Sequence, residues 1–201
     1  MNLLVFAALA YLIGSVPFAL VVGKGVYDTD VREYGSKNLG ASNTGRVLGP
    51  AAGATVMILD AVKAFLVVFL AVHTCNNPLA IPIGGLAAAI GHCYPLFAKF
   101  KGGKAVAALY GFLFGLFVFA GMTPLIFFLP LLVFLVTLFL TKIISLSSIL
   151  SAAFAAVCAW SVSASKPIII VLVLLALLIV YRHRENIKRI HKGKENKITW
   201  M

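Results

Sequence analysis

The sequence predicts an all-α protein that crosses a lipid bilayer seven times. Of its 201 residues, 62% are hydrophobic and only 11% are charged, a balance that soluble domains do not show. Charge-free runs recur along the chain, the longest over residues 105–141, and a spanning helix needs only about 20 apolar residues. Basic residues lie between these runs and at the C-terminus, a pattern typical of cytoplasmic membrane loops.

Each apolar run predicts one or two spans. The first span, residues 3–22, is expected to bend at Gly14-Ser15-Val16-Pro17, because proline lacks a backbone N–H donor. The run over 105–141 is too long for one helix, and Gly121-Met122-Thr123-Pro124 divides it into two. The other predicted spans are 51–72, 81–97, 149–163 and 167–181. Residues 23–50, 98–104 and 142–148 are predicted as polar loops, 182–201 as a basic tail, and 1–201 as a single domain.

The basic residues also predict sidedness. If the tail is cytoplasmic, seven spans place the N-terminus outside and leave Lys166 as the one outer residue among 17 Lys and Arg. Five or six spans would spoil this asymmetry. The net charge of +11 is also compatible with nucleic-acid binding, but its distribution favours membrane topology, so no nucleic-acid partner is predicted.

The segment from Gly91 to Val106 joins two apolar runs and concentrates polar residues. Gly102 and Gly103 allow a sharp turn that presents backbone N–H groups, and Lys101 and Lys104 flank them just before a predicted helix. N–H groups, helix dipole and ammonium groups together favour phosphate. The alternative is an ordinary cytoplasmic loop, in which Lys and Gly are common.

Residues 35–46 form a second polar segment, in which small residues alternate with Ser, Asn and Thr before Arg46. Small residues let the backbone approach a ligand, and the planar guanidinium suits phosphate. This pattern predicts a second anion-binding surface, although a solvated linker would have a similar composition.

Other charged residues have structural or binding interpretations. Asp60 and Lys63 lie three residues apart inside a span, where they form either a buried ion pair or a ligand contact. The run from Arg182 to Asn186 ends the last span, where basic residues act as topology anchors, but anchoring does not require its His, Glu or Asn. Three cysteines without a CxxC motif predict neither disulfides nor a metal site.

These motifs together resemble the bacterial acyl-phosphate:glycerol-3-phosphate acyltransferases, the PlsY family. The resemblance rests on GS-N-GA-N-R over 35–46, GH-P-FKGGK over 91–104 and RHREN over 182–186. It also includes LD-K over 59–63, the bend at 14–17 and the serine-rich turn, which is the polar loop over 142–148. The family usually has glycine at the positions of Ala64 and Ala105 and threonine at that of Ser42. The Cβ of Ala105 is expected to narrow the approach of a phosphate.

The resemblance implies transfer of an acyl group from acyl phosphate to the 1-hydroxyl of glycerol 3-phosphate, giving lysophosphatidic acid and phosphate. It implies a bacterial cytoplasmic (inner) membrane enzyme with a cytoplasmic-side site and without cofactor or metal. The predicted catalytic residues are Lys104, His92, Ser36, Arg46 and Asn43. The predicted phosphate-binding residues are Asn38, Lys101, Gly102, Gly103, Ser145, Ser148, His183 and Asn186, and the predicted structural residues are Asp60, Lys63 and Glu185. These residues are expected to line or support one pocket.

Other classes lack their motifs here. No histidine is followed five positions later by aspartate, as in other acyltransferases, and no aspartates are clustered as in the CDP-alcohol phosphotransferases. A small anion transporter is the alternative from a different class, but no internal repeat supports it. No Ser–His–Asp or Cys–His set is evident, which favours direct attack on the acyl phosphate. The base is either His92 or the phosphate of a bound substrate.

Overall fold

Every regular element in the described part of the chain is helical. The computed structural model describes residues 1–198, so the last three residues of the predicted basic tail lie outside the described residues. The all-α prediction is confirmed over this range. The helices are α1 Leu3–Gly14, α2 Phe18–Tyr27, α3 Ala41–Leu48, α4 Pro50–Thr74, α5 Ala80–Cys93, a short 3-10 helix Leu96–Ala98, α6 Val106–Val118, α7 Leu125–Thr141, α8 Ile144–Ser161, α9 Lys166–Arg182 and α10 Arg184–His191.

Several of these helices are long and apolar enough to cross a membrane. Four qualify within the described chain, namely the combined segment Leu3–Tyr27, α4, the segment Ala80–Ala98, and α8. A fifth is α9 with α10, which are bent by 60°. At 13 and 17 residues, α6 and α7 are shorter. The fold is therefore that of a multi-pass membrane protein with four or five candidate spans, and the count of seven stays a prediction.

The chain forms two compact units, Met1–Gly115 and a second that begins at Leu116. In the first unit, α5 packs against α1 and α4, and α3 packs against α4. Its core includes Phe6, Val67 and Ala88. In the second unit, α8 packs between α7 and α9. The Ser151 hydroxyl donates to the Pro130 carbonyl over 2.8 Å, which ties α8 to α7.

The first span is broken where the sequence predicts it. Residues 15–17 separate α1 from α2, and the N–H of Leu20 donates to Pro17 O, one residue short of the usual helical acceptor. The carbonyl of Val16 is thereby released from the helical ladder, and Lys63 Nζ donates to it over 3.0 Å. The predicted break at 121–124 is also confirmed, because residues 119–124 separate α6 from α7.

Three segments predicted as polar loops or as a basic tail contain helix that the sequence did not predict. The first loop contains α3, which begins after Gly40 and ends at Gly49, where φ is +98°. The serine-rich turn is mostly the start of α8, where the hydroxyls of Ser147 and Ser148 donate to carbonyls four residues earlier. This local bonding replaces the turn that their polarity suggested. The tail contains α10.

Candidate active site

In the first unit, the predicted site residues Ser36 and Asn43 are hydrogen-bonded to each other. Asn43 Oδ1 accepts from the backbone N–H of Ser36 at 2.8 Å and from its hydroxyl at 3.0 Å. On its other side, Asn43 Nδ2 donates to the carbonyl of Val31 at 2.9 Å. The Asn43 side chain is buried, whereas Ser36 is exposed. Asn43 therefore fixes the shape of the loop that presents Ser36.

The Gly102–Gly103 loop lies against the end of α5. The Gly102 N–H donates to Cys93 O at 3.2 Å and the Gly103 N–H to His92 O at 3.0 Å, so neither follows the prediction that these groups face a ligand. A Cβ on Gly102 would overlap the His92 carbonyl, and one on Gly103 would overlap the His92 ring. The glycine pair is needed because the two stretches of backbone approach closely.

Asn38 joins this loop to the first polar segment. Its Nδ2 donates to the carbonyl of Gly102 over 3.3 Å, although the two residues are 64 positions apart. The carbonyl of Leu39 also lies beside Gly103. The first unit therefore brings together two of the three predicted motifs.

Behind the loop, Asp60, Lys63 and His92 form a buried cluster. Asp60 Oδ1 lies 2.7 Å from Lys63 Nζ and 3.4 Å from His92 Nδ1. Of the two interpretations left open by the sequence, this arrangement supports an ion pair. Removing one charge from such a pair leaves the other buried and unpaired, at a cost of about 3–5 kcal/mol.

The predicted basic residues differ in exposure. Lys101 and Arg46 are exposed. Lys104, which follows Gly103 in the sequence and precedes α6, is half-buried. Lys101 is one of the predicted site residues, and it lines a cavity of about 370 Å³ in this unit. The cavity is lined by Asp30, Arg32, Glu33, Lys37, Lys99 and Lys101.

Sequence reasoning missed the ion pairs beside this cavity. The Arg32 guanidinium donates to both oxygens of Asp30, with its closest nitrogen at 2.6 Å, and Lys24 Nζ lies 3.1 Å from Asp30 Oδ2. The Arg32 hydrogen bonds hold the pKa of Asp30 well below its usual range. The signal available in the sequence was the cluster of four charged residues, of both signs, over residues 28–33.

In the second unit, Ser145 and Asn186 share a carboxylate. Glu195 Oε1 accepts from Ser145 Oγ at 2.9 Å and from Asn186 Nδ2 at 2.6 Å, and its Oε2 accepts from Arg189 Nε at 2.7 Å. Because an ionised carboxylate only accepts, the orientation of the Asn186 amide is fixed with its nitrogen toward Glu195. Neither Glu195 nor Arg189 was predicted. Glu195 is the only acidic residue after Asn186 in a basic tail, and this isolation was a usable signal.

The other predicted residues of this unit are held by their own helices. Ser148 Oγ donates to Ile144 O at 2.8 Å, and His183 Nδ1 lies 2.8 Å from Ile179 O. Since a carbonyl only accepts, His183 Nδ1 carries a hydrogen. Glu185 forms an exposed pair with Lys188 at 3.0 Å. Within residues 1–198, no group of three His, Cys, Asp or Glu side chains is placed to hold a metal ion.

Comparison with known proteins gives consistent matches over nearly the whole chain. The family model for glycerol-3-phosphate acyltransferase matches residues 4–193. A glycerol-3-phosphate acyltransferase of Listeria monocytogenes serovar 1/2a is 45% identical, covering 100% of this chain and 98% of the relative. That of Bacillus subtilis strain 168 is 44% identical, with 96% of each chain covered.

Solved structures agree with these relatives. The crystal structure of PlsY (YgiH), an integral membrane glycerol 3-phosphate acyltransferase, in its glycerol 3-phosphate form superposes with a TM-score of 0.91 at 33% identity. Its lysophosphatidic acid form gives a TM-score of 0.89 at 32% identity. Each match covers 99% of this chain and 96% of the other.

Proposed function

The chain belongs to the glycerol-3-phosphate acyltransferase family, and we propose that it moves a fatty acyl group from acyl phosphate to the 1-hydroxyl of glycerol 3-phosphate. The products are lysophosphatidic acid and inorganic phosphate, and the reaction is the first step of phospholipid synthesis. One observation carries the proposal: the match, over 99% of the chain, to a membrane acyltransferase crystallised in glycerol 3-phosphate and lysophosphatidic acid forms.

The proposed roles in the first unit follow from charge and position. Lys104 and Arg46 stabilise phosphate charge, and Ser36 orients a phosphate or hydroxyl by hydrogen bonding. Asn43 holds Ser36 in place. The link between Asn38 and Gly102 supports a common role for the two polar segments. Lys101, Gly102 and Gly103 complete this phosphate-binding loop. The two glycines contribute by letting the loop backbone pack closely against the end of α5, since their N–H groups donate to carbonyls there.

In the second unit, Ser145, Ser148, His183 and Asn186 are the proposed additional substrate-binding residues. All four side chains are buried at the start of α8 or at the bend between α9 and α10. Buried hydroxyl, imidazole and amide groups are suited to directed hydrogen bonds with a polar head group. Asp60 and Lys63 act as structural residues in the first unit, and Glu185 is proposed as structural in α10.

The proposed mechanism is direct acyl transfer. The 1-hydroxyl oxygen of glycerol 3-phosphate bonds to the acyl carbon, the bond from that carbon to the phosphate oxygen breaks, and inorganic phosphate leaves with the bonding electrons. The hydroxyl proton passes either to His92 or to the phosphate of a bound substrate. Alignment of two bound anions and stabilisation of the developing oxyanion supply the rate enhancement.

Acyl phosphate is the proposed donor because its head group is compact. Coenzyme A would require a surface for its adenine and 3′-phosphate, whereas most of this chain is apolar helix. An acyl chain can enter laterally from the bilayer. We propose no cofactor or metal for this chemistry, which uses an already activated acyl group.

The proposed topology has seven spans, an outer N-terminus, and a site on the cytoplasmic side of a bacterial inner membrane. To reach seven, the shorter helices α6 and α7 must each span in addition to the five longer candidates. The match of the family model over 4–193 extends across both compact units, which supports treating 1–201 as one functional domain.

A direct assay tests the function. Purified protein receives glycerol 3-phosphate with either palmitoyl phosphate or palmitoyl-CoA, in the presence of a chelator. We expect lysophosphatidic acid and phosphate from palmitoyl phosphate alone. Product from palmitoyl-CoA alone would overturn the donor assignment. No product from either donor, together with phosphate flux into proteoliposomes, would support the transporter instead.

A further inference from the structure

The carboxylate of Glu195, in the second unit, is hydrogen-bonded at both of its oxygens. Oε1 accepts from Ser145 Oγ at 2.9 Å and from Asn186 Nδ2 at 2.6 Å, and Oε2 accepts from Arg189 Nε at 2.7 Å. Burial alone would raise the pKa of Glu195, but these hydrogen bonds lower it below its ordinary value. Glu195 is therefore an ionised group that acts only as an acceptor.

Such a carboxylate determines how Ser145 and Asn186 are oriented. The Ser145 hydroxyl has one hydrogen, and it is donated to Glu195. The Asn186 amide has a donor end and an acceptor end, and Glu195 holds the donor end. A flip of this amide would exchange the two ends and hardly change the shape of the side chain. The bond to Glu195 opposes that exchange.

The C-terminal segment holds the carboxylate in place. The N–H of Lys194 donates to Arg189 O at 2.8 Å, and the N–H of Ile198 donates to Lys142 O at 2.9 Å. The side chain of Glu195 is only 6% exposed, whereas that of Arg189 is 41% exposed. The guanidinium can therefore be replaced with less disturbance of packing than the carboxylate that it supports.

We propose that Glu195 is a positioning residue for acyl transfer: it holds the Asn186 amide and the Ser145 hydroxyl in the one orientation that serves the substrate. The inference rests on the proposed function, in which both residues bind substrate. Glu195 acts through these two side chains and is not itself a substrate contact. Arg189 acts through Glu195, because it bonds to Oε2 and leaves Oε1 to Ser145 and Asn186.

Glu195→Gln is the first test of this role. The glutamine amide has one acceptor oxygen where the carboxylate has two, so it cannot accept both from Arg189 and from the Ser145–Asn186 side. When its oxygen turns to Arg189, its NH2 group meets the Asn186 NH2 group, and the Asn186 amide is driven to flip. We expect kcat/KM for glycerol 3-phosphate to fall roughly 10- to 100-fold.

The double variant Glu195→Gln/Arg189→Met distinguishes positioning from attachment of the tail. Without the Arg189 Nε donor, the oxygen of the new amide is available to Ser145 and Asn186, and their original orientation returns. We expect kcat/KM to recover to within about fivefold of wild type. Amide hydrogen exchange in the tail should remain faster than in wild type, because the charged contact between Glu195 and Arg189 is lost.

Glu195→Gln/Lys192→Met is the matched control. It removes one positive charge from an exposed neighbour of the same segment and leaves the Arg189 Nε donor in place. Its kcat/KM should stay as low as that of Glu195→Gln. Equal kcat/KM in the two double variants would overturn the proposal, since a purely structural contact is not restored by removing its second partner.

A spectroscopic measurement follows the Asn186 amide directly and needs no activity. In protein labelled with nitrogen-15 asparagine, the side-chain NH2 signals of Asn186 are identified by their loss in Asn186→Asp. Hydrogen exchange of this NH2 group should be about tenfold faster in Glu195→Gln than in wild type and should slow again in Glu195→Gln/Arg189→Met. Unchanged exchange in Glu195→Gln would overturn the proposal. If wild-type protein forms no lysophosphatidic acid, the proposed function fails, and these signals still decide whether Glu195 orients Asn186.

Discussion

Ala105 adopts a backbone conformation that favours glycine. Its φ is +60°, in the left-handed region, and its carbonyl accepts the first hydrogen bond of α6 from the N–H of Leu109 at 2.8 Å. Related acyltransferases are expected to have glycine here. An L-residue in this region costs roughly 1–2 kcal/mol, so the chain tolerates a local strain at the junction of loop and helix.

Replacing Ala105 by glycine should therefore be nearly neutral. Relief of the left-handed strain, about 1–2 kcal/mol, is offset by the lost burial of one methyl group, about 0.8 kcal/mol, and by added unfolded-state entropy, about 0.5–1 kcal/mol. We expect the melting temperature of Ala105→Gly to stay within about 4 °C of wild type, with kcat/KM within about threefold.

The contrasting variant is Ala105→Val, whose branched side chain is poorly tolerated at positive φ. It should lower both the melting temperature and activity. Ala8→Val places the same change on an exposed position of α1 and should alter neither. Equal melting temperatures for Ala105→Val and wild type would contradict a left-handed conformation at this residue.

Two lysines of one loop should differ in their effect on catalysis. Lys104 is half-buried beside Gly103, whereas Lys99 is exposed. If Lys104 stabilises charge on the transferring group, Lys104→Ala should lower kcat/KM roughly 100- to 1,000-fold without unfolding the protein. Lys99→Ala is the matched control and should change kcat/KM less than about threefold. Equal losses in the two variants would instead support a topological role for both.

At the scale of elements, Glu195 fastens the C-terminal segment to α8 and α10. Besides its side-chain bonds to Ser145, Asn186 and Arg189, the N–H of Lys194 donates to Arg189 O at 2.8 Å, and that of Ile198 to Lys142 O at 2.9 Å. Burial alone would raise the pKa of Glu195, but hydrogen bonds from Asn186, Arg189 and Ser145 bring it below its ordinary 4.5. The segment is therefore held by an ionised carboxylate.

Glu195→Gln should release this segment. The amide lacks the negative charge and turns one NH2 group toward a donor, so amide hydrogen exchange at Lys194 and Ile198 should accelerate about tenfold or more, equivalent to about 1.4 kcal/mol. The Glu185→Gln control removes the same charge from an exposed pair and should leave exchange at these amides unchanged.

The same interaction has a defined pH dependence. A depressed carboxyl pKa contributes stability that is complete above the unfolded-state value and is lost as pH falls through the folded value. The difference in tail protection between wild type and Glu195→Gln should therefore be constant from about pH 6 to 8 and shrink below about pH 4.5. A difference that stayed unchanged well below that pH would contradict the charge-based attachment.

The helices could be predicted from the sequence where the lipid environment alone determines the backbone structure. Lipid requires each spanning segment to satisfy its own backbone, so long apolar runs and Pro17 predicted the helices and the first break. By contrast, α3 depends on tertiary packing: Gly45 and Gly53 bring α3 and α4 so close that a Cβ on Gly53 would lie 2.7 Å from Gly45 Cα. The polarity of residues 41–48 alone does not predict this close packing of α3 against α4.

The residues of the proposed site could be selected from the sequence, but the contacts that they make with one another could not be predicted. Motif spacing identified Ser36, Asn43 and His92, whose side chains have partners nearby. The bond between Asn38 and Gly102 spans 64 positions, and Glu195 reaches back 50 positions to Ser145, so no local pattern specifies either contact. The glycine pair allows a close approach of two backbone stretches, and its N–H groups donate to the carbonyls of Cys93 and His92.

For the whole molecule, charge distribution argues for sidedness. Lys63 is buried in its ion pair, so it contributes to neither side. The remaining Lys and Arg residues, except Lys166, lie in segments assigned to the cytoplasm, and α10 continues that basic character after the 60° bend. The positive-inside rule then favours a cytoplasmic C-terminus and, with seven spans, an outer N-terminus.

Cysteine labelling tests this topology. Single cysteines at positions 38, 165 and 192 are introduced into Cys75→Ala protein, whose two other native cysteines are buried. With a membrane-impermeant maleimide that reaches the outer face of the cytoplasmic membrane, position 165 should react in intact cells. Positions 38 and 192 should react only after permeabilisation, because the proposed topology places them inside.

The pattern across the three positions distinguishes the possible errors. The Cys75→Ala parent should remain unlabelled and sets the background. Reaction at 38 and 192 from outside, with protection of 165, would mean that the whole orientation is inverted. Because the proposed topology puts an even number of crossings between positions 38 and 192, these two must share a side. Labelling of only one of them in intact cells would mean an odd number of crossings, and would exclude a topology in which α6 and α7 both span in addition to the five longer candidates.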